Sequence, residues 1–172
     1  MKSYIRPART ADLDAILRIV ESGRKFLEEQ DLPQWQAGTG PSRAGIESYI
    51  QRQIGYVLMV EGQVVGYAAL VPSPDGAPPL TEGKYEGVHD NYAAIHQVAI
   101  DTAYRGRGLA GQFMRDMVTV AGILGYQDIR IDTHRGNVIM QKIILGTGFT
   151  YRGVMHLPIP NGERLAYQML LD

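Results

Sequence analysis

The sequence predicts an α/β (α+β) fold in which helices flank a mixed, mostly antiparallel sheet. Runs rich in β-branched and aromatic residues alternate along the chain with apolar stripes at helical spacing. Two of these runs, 56–60 and 64–71, are separated only by Glu61-Gly62-Gln63, the pattern of an antiparallel hairpin that turns on Gly62. Two later runs, 93–100 and 129–133, are joined through a predicted helix, which favours a parallel pair. The sheet should therefore contain both kinds of pairing.

The first half of the chain carries one predicted strand and two predicted helices ahead of the hairpin. Residues 4–7 form the strand. Thr10 then precedes acidic residues of a first helical turn, and apolar residues recur at helical spacing as far as Phe26. A second apolar stripe, 46–54, ends at Gly55.

The second half opens with a long loop, 72–89, which has four prolines, three glycines and no periodic pattern. After the strand 93–100, two helices and two closing strands are predicted at 109–124, 137–145, 149–155 and 165–171. Gly146 and Gly148 are predicted to end the second of these helices.

The length and composition are those of one globular domain. A chain of 172 residues is large enough to bury a core without metals or disulfides, so a single domain over 1–172 is expected. The apolar fraction is 45% and the charged fraction 20%. No apolar run approaches the roughly 18 residues that a membrane span requires, so no membrane partner is expected.

Charge and cysteine content exclude several function classes. The chain has no cysteine, which rules out disulfides, thiolate metal sites and a cysteine nucleophile. A cytoplasmic location is therefore expected. A formal net charge of -1 gives no global field to hold a polyanion, so nucleic acid is not an expected partner.

The most informative segment is the glycine-rich turn Arg105-Gly106-Arg107-Gly108-Leu109-Ala110, between the predicted strand 93–100 and the predicted helix 109–124. A turn that opens a helix gathers unpaired backbone N–H groups and the positive end of the helix dipole at one point. This arrangement favours an anion, most naturally a phosphate.

Two motifs fit these residues. Gly106-x-Gly108-x-x-Gly111 satisfies the dinucleotide fingerprint, and Asp132 lies near the position of a ribose-binding acid. The alternative is Arg105-x-x-Gly108-x-Ala110, which fits the R/Q-x-x-G-x-G/A signature of the Gcn5-related N-acetyltransferases. Five residues, 101–105, separate the strand from the first glycine. Since that spacing is too long for the dinucleotide turn, the second motif is favoured.

The order of predicted elements resembles the Gcn5-related N-acetyltransferase (GNAT) superfamily over essentially the whole chain. The resemblance includes Val98-Ala99-Ile100 ahead of the turn and Gly148-Phe149 after the short helix. The segment from Asp132-Thr133-His134 to Asn137-x-x-Met140 is similar to small bacterial members of unassigned substrate. The resemblance implies the GNAT fold, in which the parallel strand pair splays apart.

The resemblance also implies acetyl-CoA as co-substrate, with no metal. The pyrophosphate would lie on the backbone amides of 105–111, and the pantetheine arm would lie along 98–100, where one N–H group would stabilise the oxyanion of the reaction. Asn137 and Met140 would form a wall beside the arm, although Asn137 could instead cap the helix that follows it. The cofactor-binding residues so implied are Val98, Ala99, Ile100, Arg105, Gly106, Arg107, Gly108, Leu109, Ala110, Gly111, Asn137 and Met140.

Two positions depart from the family pattern. Many members have a glutamate as general base where this chain has Ala94, and a tyrosine as general acid where it has Ile144. His96 is the best replacement base, because it lies two residues beyond Ala94 and projects from the same face of the strand. Its unperturbed pKa of about 6.5 suits proton removal near neutrality. A core histidine is the alternative interpretation.

Further candidates are His134, at the end of the neighbouring strand, as a base, and Tyr151 or Tyr92 as an acid. The chain has ten tyrosines, and packing is the alternative explanation for each of these two. Catalysis without an essential side chain is a further alternative, because an amine that arrives deprotonated needs mainly positioning and an oxyanion hole.

The acceptor cleft of the fold is bordered by segments that here contain Trp35, Tyr49 and the loop 72–89. Acidic residues of that region could anchor a cationic amine, or could be solvated, and they are Glu82, Glu86 and Asp90.

The sequence thus predicts an acetyl-CoA-dependent N-acetyltransferase that acts on a primary amine of a small molecule or peptide. The alternatives are a non-catalytic acyl-CoA-binding regulatory protein of the same fold and, more remotely, a nicotinamide dinucleotide enzyme. A homodimer is one expected form, because dimers are common in the family.

Overall fold

The computed structural model describes residues 1–87 and 90–172, so the end of the predicted loop 72–89 lies outside the described residues. The chain packs into two compact units. One comprises Met1–Leu70 and Gln97–Phe113, and the other comprises Val71–His96 and Met114–Asp172. The single domain over 1–172 stays a prediction.

The first unit contains three strands in the order β1-β2-β3, both pairs antiparallel, and two helices. These elements are β1 (Ser3–Pro7), α1 (Leu13–Glu29), α2 (Arg43–Gln51), β2 (Gly55–Val60) and β3 (Gln63–Pro72). The strands β2 and β3 are joined by Glu61 and Gly62, whose φ angles are 46° and 82°. Positive φ at both residues is typical of the tight hairpin turn that matches strand twist. The predicted hairpin is confirmed.

The core of the first unit lies where α1 and α2 pack on β2 and β3. Ile16, Ile46, Val57 and Tyr67 have no exposed surface. Helix α2 begins at this core because the Ser42 hydroxyl caps it, accepting the Gly45 N–H at 3.1 Å. Because Ile16 of α1 and Ile46 of α2 are fully buried against the strands, apolar packing stabilises both helices more than local propensity does.

The remaining elements are β4 (Glu82–Gly83), β5 (Ala93–Ile100), α3 (Leu109–Ile123), β6 (Asp128–Thr133), α4 (Val138–Thr147), β7 (Thr150–His156) and β8 (Glu163–Leu170). In the second unit the strand order is β5-β6-β8-β7-β4. The pair β5–β6 is parallel, whereas the other strand pairs of this unit are antiparallel. The prediction of a mixed, mostly antiparallel sheet with one parallel pair is confirmed.

The parallel pair is short. Its register runs from Ala93 opposite Ile129 to Ile95 opposite Ile131, and the next residues in that register are His96 and Asp132. Immediately after His96, the backbone of Gln97 has a φ of 61°, which a regular strand does not adopt. The ladder therefore ends at the point where β5 carries a histidine and β6 carries an aspartate.

One local prediction was wrong, and the last residue of α4 was predicted two residues too early. The loop after β3 contains a two-residue strand, β4, where Gly83 pairs with Gly153 of β7 so closely that a side chain at either position would meet the opposing backbone. Helix α4 passes through Gly146 and ends at Gly148, whose φ is 113°. A glycine inside a helix costs only about 1 kcal/mol, so the left-handed residue decides where the helix ends.

Asn137 caps α4, because its side-chain oxygen accepts the Met140 N–H at 3.1 Å. We expect Asn137→Ala to lower the free energy of unfolding by about 1 kcal/mol. Asn137→Asp, which keeps an acceptor oxygen at the same position, should lose much less. Urea unfolding of the two variants checks this, and equal losses would contradict the capping role.

Candidate active site

The glycine turn of the first unit has a backbone that only glycine adopts readily. Gly106 and Gly108 have φ angles of 74° and 73°. A Cβ atom built on either residue meets nothing within 4 Å. Conformation, rather than crowding, therefore requires glycine at both positions, and the space beside them is open to a ligand.

The amides of this turn are suited to an anion. Helix α3 begins at Leu109, and the first donor of its intrahelical ladder is the Gln112 N–H, which bonds the Gly108 carbonyl at 3.1 Å. The N–H groups of 109–111 precede that bond and lie at the positive end of the helix dipole. The turn therefore presents several amide donors together, as a diphosphate requires.

Both arginines of the turn lie on aromatic rings. The Arg105 guanidinium stacks on Phe26, and burial lowers the pKa of Arg105 from its ordinary value. The Arg107 guanidinium lies 5.0 Å from the centre of the Tyr104 ring. Both arginines are exposed, so the turn that presents the amide donors also carries two positive charges.

The strand that leads into the turn is the second half of β5. Ala99 is buried, whereas Val98 and Ile100 are half-buried. The Asp101 N–H donates to the Val65 carbonyl at 2.8 Å and so fixes the end of the strand against β3. Of the other predicted cofactor residues, Asn137 caps α4 and Met140 lies half-buried in its first turn.

His96 belongs to a hydrogen-bonded network in the second unit. Its Nε2 atom lies 2.8 Å from Oδ2 of Asp75, whose side chain is only 4% exposed. The other oxygen, Oδ1, accepts the Tyr92 hydroxyl at 2.7 Å and the Ala77 N–H at 3.3 Å. The carboxylate of Asp75 thus orients both the predicted base and one of the predicted acids.

The network shifts the pKa values of its members. Burial would raise the pKa of Asp75, but the hydrogen bonds from His96 and Tyr92 outweigh it and lower the pKa to about 2. Burial would lower the pKa of His96, but Asp75 and the charge of Asp132 outweigh it and raise the pKa. Because Asp75 is ionised at neutral pH, Nε2 of His96 carries the proton in this bond. Nδ1 is the nitrogen left to exchange a proton.

Replacing Asp75 by asparagine should therefore destabilise the protein in a pH-dependent way. The lowered pKa of Asp75 contributes about 2 kcal/mol above the unfolded pKa of about 4, and the contribution is lost as the pH falls to about 2. The raised pKa of His96 contributes below about pH 6.5, and that part is lost as the pH rises through the folded value. The stability difference between wild type and Asp75→Asn should thus be largest between about pH 4 and 6.5. Denaturant unfolding from pH 2 to 9 measures it, and a pH-independent difference would contradict the network.

Asp75 and Tyr92 also line a pocket of about 390 Å³. Its wall includes Ala94 and Asp132, the residue next to the end of the β5–β6 ladder. Asp132 is 23% exposed, and its Oδ1 lies 4.0 Å from the Arg164 guanidinium. Burial raises the pKa of Asp132, although His96 and Arg164 oppose the shift.

Arg130 holds one side of this pocket together. Its guanidinium lies between the rings of Tyr85 and Tyr92, 3.9 and 3.8 Å from their centres. Its Nε and Nη2 donate to the two oxygens of the buried Asp128, at 3.2 and 2.9 Å. Since Tyr85 and Tyr92 both lie between Asp75 and β5 in the sequence, Arg130 fixes the segment that carries Asp75 against β6.

The other predicted catalytic residues are placed differently. Nδ1 of His134 accepts the Gly136 N–H at 3.0 Å, so Nε2 carries the proton of the neutral ring and no ring nitrogen is left to act as a base. Burial and the nearby arginines lower the pKa of His134. Tyr151 is 49% exposed and packs edge-to-face on Tyr167 at 5.8 Å. His96, with Asp75, is the better placed of the two histidines.

The predicted acceptor anchors are engaged elsewhere or exposed. Glu86 forms an ion pair with Arg152 at 2.7 Å, and Glu82 is exposed in β4. The backbone carbonyl of Asp90 accepts the Ser73 hydroxyl at 2.8 Å. In the first unit, Trp35 packs against the apolar core and Tyr49 lies half-buried on α2.

Asp75 was not identified from the sequence. It stands between Pro74 and Gly76, where an aspartate is fully explained as a turn residue. Within the described ranges, the structure has no group of three or more residues suited to holding a metal ion. No helix among the described residues is long and apolar enough to cross a membrane.

Comparison with known proteins agrees with this architecture. The model of the GNAT acetyltransferase family matches residues 21–149. A GNAT-family acetyltransferase structure from Streptococcus agalactiae is 30% identical, with 99% of this chain and 96% of that chain covered and a TM-score of 0.87. An aminoglycoside acetyltransferase in complex with coenzyme A is 19% identical over 98% of this chain and 95% of that chain, with a TM-score of 0.71, and shows the fold alone.

The curated N-acetylaspartate synthetase of Xenopus tropicalis is 29% identical in an alignment of 133 positions that covers 72% of this chain. The chain spans 44% of the length of that relative. The family match covers most of the chain and includes the whole segment formed by β5, the glycine turn and α3. The protein belongs to the GNAT family of acetyltransferases.

Proposed function

We propose that the protein transfers the acetyl group of acetyl-CoA directly to a primary amine of a small molecule or peptide. The observation that carries the proposal is that β5 bears His96 and then leads into the glycine turn. His96, fixed by Asp75, lies two residues before Val98 on the strand that leads into the open glycine turn. One strand thus connects a base with an anion-binding turn.

Residues 105–111 fit the diphosphate of the co-substrate. Glycines with positive φ leave the space beside the turn open, and the first amides of α3 precede the helical ladder. Acetyl-CoA supplies an activated acetyl group, and the aminoglycoside acetyltransferase of the same fold is described with coenzyme A bound. The name of the curated relative likewise describes acetylation of an amine-bearing compound. We therefore assign the predicted cofactor residues to acetyl-CoA.

His96 and Asp132 prepare the amine. The carboxylate of Asp132 favours an ammonium group in the pocket, and Nδ1 of His96 accepts a proton from it while Asp75 fixes the ring through Nε2. The resulting neutral amine attacks the thioester directly. No acyl-thioenzyme can form, because the chain has no cysteine.

A non-catalytic acyl-CoA-binding protein is the second candidate. It is favoured by one observation, the presence of Ala94 and Ile144 where many family members carry their proton-transferring residues. Ile144 is fully buried and Ala94 is almost so. Neither residue can move a proton, so the proposal gives this role to the network of His96.

Release of coenzyme A distinguishes the two candidates. Acetyl-CoA is incubated with polyamines, amino acids, aminoglycosides and peptide N-termini, and free thiol is measured over time. If the protein is a transferase, the rate of thiol release should rise with the concentration of one class of amine and not with the others. Tight binding of acetyl-CoA without release for any amine would favour the regulatory protein and contradict the proposal.

A further inference from the structure

Two charged groups on one face of β6 have unused hydrogen-bonding capacity. Arg130 and Asp132 both line the pocket, and they are two residues apart in a strand, so their Cα atoms are about 6.6 Å apart on the same face. Arg130 uses Nε and Nη2 for Asp128, and no described residue accepts a hydrogen bond from its Nη1. In the same part of the chain, no residue donates a hydrogen bond to the Asp132 carboxylate, whose nearest cation is 4.0 Å away.

Two of the neighbouring polar groups, the Asp75 carboxylate and the Tyr92 hydroxyl, are already occupied. The Asp75 carboxylate accepts hydrogen bonds from His96, Tyr92 and the Ala77 amide, and the Tyr92 hydroxyl is used in one of them. Besides the exposed ammonium group of Lys84, the pocket therefore offers a ligand one unused guanidinium edge and one unused carboxylate. A ligand that buried these groups without bonding them would leave both unsatisfied, at a large cost in affinity.

We infer that the amine acceptor is an α-amino acid, with its ammonium group on Asp132 and its carboxylate on Nη1 of Arg130. The inference rests on the proposed function and names its substrate class. A guanidinium is the side chain best suited to a carboxylate, and its orientation is fixed here by Asp128 and the two tyrosine rings. The arrangement is a preformed receptor for a zwitterion.

The rest of the pocket selects the side chain. Its remaining wall is largely apolar and includes Ala77, Pro78, Pro79, Leu80 and Met155. An apolar amino-acid side chain removes this surface from water, whereas a charged one would have to be desolvated against it. We therefore expect methionine, leucine or phenylalanine rather than a charged amino acid.

The position of the ammonium group agrees with the chemistry. His96 is not among the described residues of the pocket wall, but His96 and Asp132 are the residues that directly follow the last pair of the β5–β6 ladder, so an ammonium bound to Asp132 lies near the base. The reaction forms an N–C bond and breaks the C–S bond. Of the two protons that the ammonium loses, one passes to His96 and then to solvent, and the other ends on the thiolate to give free CoA.

Matched acceptors test the class directly. Methionine is compared with 3-(methylthio)propylamine, and phenylalanine with phenethylamine, so that each pair differs only in the carboxylate. We expect kcat/KM for the amino acid to exceed that for the amine by about 10- to 100-fold. A preference for the amines would overturn the inference, while leaving the proposed acetyl transfer intact.

Variants of Arg130 then identify the partner of the carboxylate. Arg130→Met should lower kcat/KM for the amino acids about 10- to 100-fold and have a much smaller effect on the amines. Arg130→Lys should lie between wild type and Arg130→Met. If Arg130 only held the loop in place through Tyr85 and Tyr92, Arg130→Met would lower kcat/KM equally for amino acids and amines. That result would contradict the assignment.

Two further variants serve as controls. Arg152 anchors the same loop through Glu86 and Gln168. Arg152→Met should therefore change kcat/KM for amino acids and for amines by the same factor. Lys84 also lines the pocket, but it is exposed. If Lys84→Ala, rather than Arg130→Met, removed the preference for a carboxylate, the assignment to Arg130 would be wrong.

A binding measurement keeps the inference testable apart from turnover. Calorimetric titration of methionine into the protein saturated with CoA should show binding that Arg130→Met weakens at least about 10-fold. Absence of binding for methionine, leucine and phenylalanine would overturn the inference. Binding of amino acids without release of thiol from acetyl-CoA would instead contradict the proposed function alone.

Discussion

His96→Ala should lower kcat/KM for amine acetylation by about 100- to 10,000-fold, the usual contribution of a positioned general base. In wild type, activity should rise with pH as His96 loses its proton, and the midpoint should lie above 6.5, because Asp75 and Asp132 raise the pKa of His96. The alanine variant should lose this acidic limb. Thiol release from acetyl-CoA between pH 5.5 and 9 measures both effects.

His134→Ala is the matched control for this prediction. Nδ1 of His134 is occupied by the Gly136 amide, so its loss should affect kcat/KM far less than the loss of His96. Asp75→Asn should keep partial activity but move the acidic limb to lower pH, since the group that raises the pKa of His96 is then uncharged. Full activity of His96→Ala at all pH values would remove His96 as the base and leave positioning of the amine as the main source of catalysis.

Gly108→Val should raise the Kd for CoA by about 10- to 100-fold, as expected when one or two charge-assisted amide bonds to phosphate are lost. A β-branched residue does not tolerate the φ of 73° at this position, so the turn must rearrange and its amides separate. Isothermal titration with CoA gives the change in Kd directly.

The control for Gly108→Val lies at the other end of the same helix. Gly125 also has a positive φ, 91°, and a Cβ atom built on it meets nothing within 4 Å. Gly125→Val should therefore cost similar stability, about 1 to 2 kcal/mol, but leave CoA affinity unchanged. Equal losses of affinity in both variants would mean that general destabilisation, and not the turn, is responsible.

Most of the fold could be predicted because its signals are local. The run 93–100 and the apolar face that begins at Leu109 gave β5 and the start of α3 correctly, since burial imposes a fixed spacing on each. The strand β4 was missed because two residues carry no period. The end of α4 was misplaced because a glycine marks a terminus only where φ is positive, and sequence does not reveal which of Gly146 and Gly148 meets that condition.

The candidate site was predictable only in part, for a different reason. His96 was found by its two-residue offset from Ala94, a relation within one strand. Its partner Asp75 lies 21 residues away in a proline-rich loop, and only tertiary structure brings the two together. The position of the Arg130 guanidinium could not be predicted either, because it depends on contacts with Tyr85 and Tyr92, which are distant in the sequence.

A thermal-shift comparison of two ligands tests most directly whether this GNAT-family chain uses acetyl-CoA. Acetyl-CoA and NADH both carry an adenosine diphosphate, and Gly106-x-Gly108-x-x-Gly111 formally fits either. At about 100 times its Kd, acetyl-CoA should stabilise the protein by about 2.7 kcal/mol and raise Tm by roughly 5 to 10 °C. NADH at the same concentration should leave Tm unchanged. Stabilisation by NADH but not by acetyl-CoA would contradict the account.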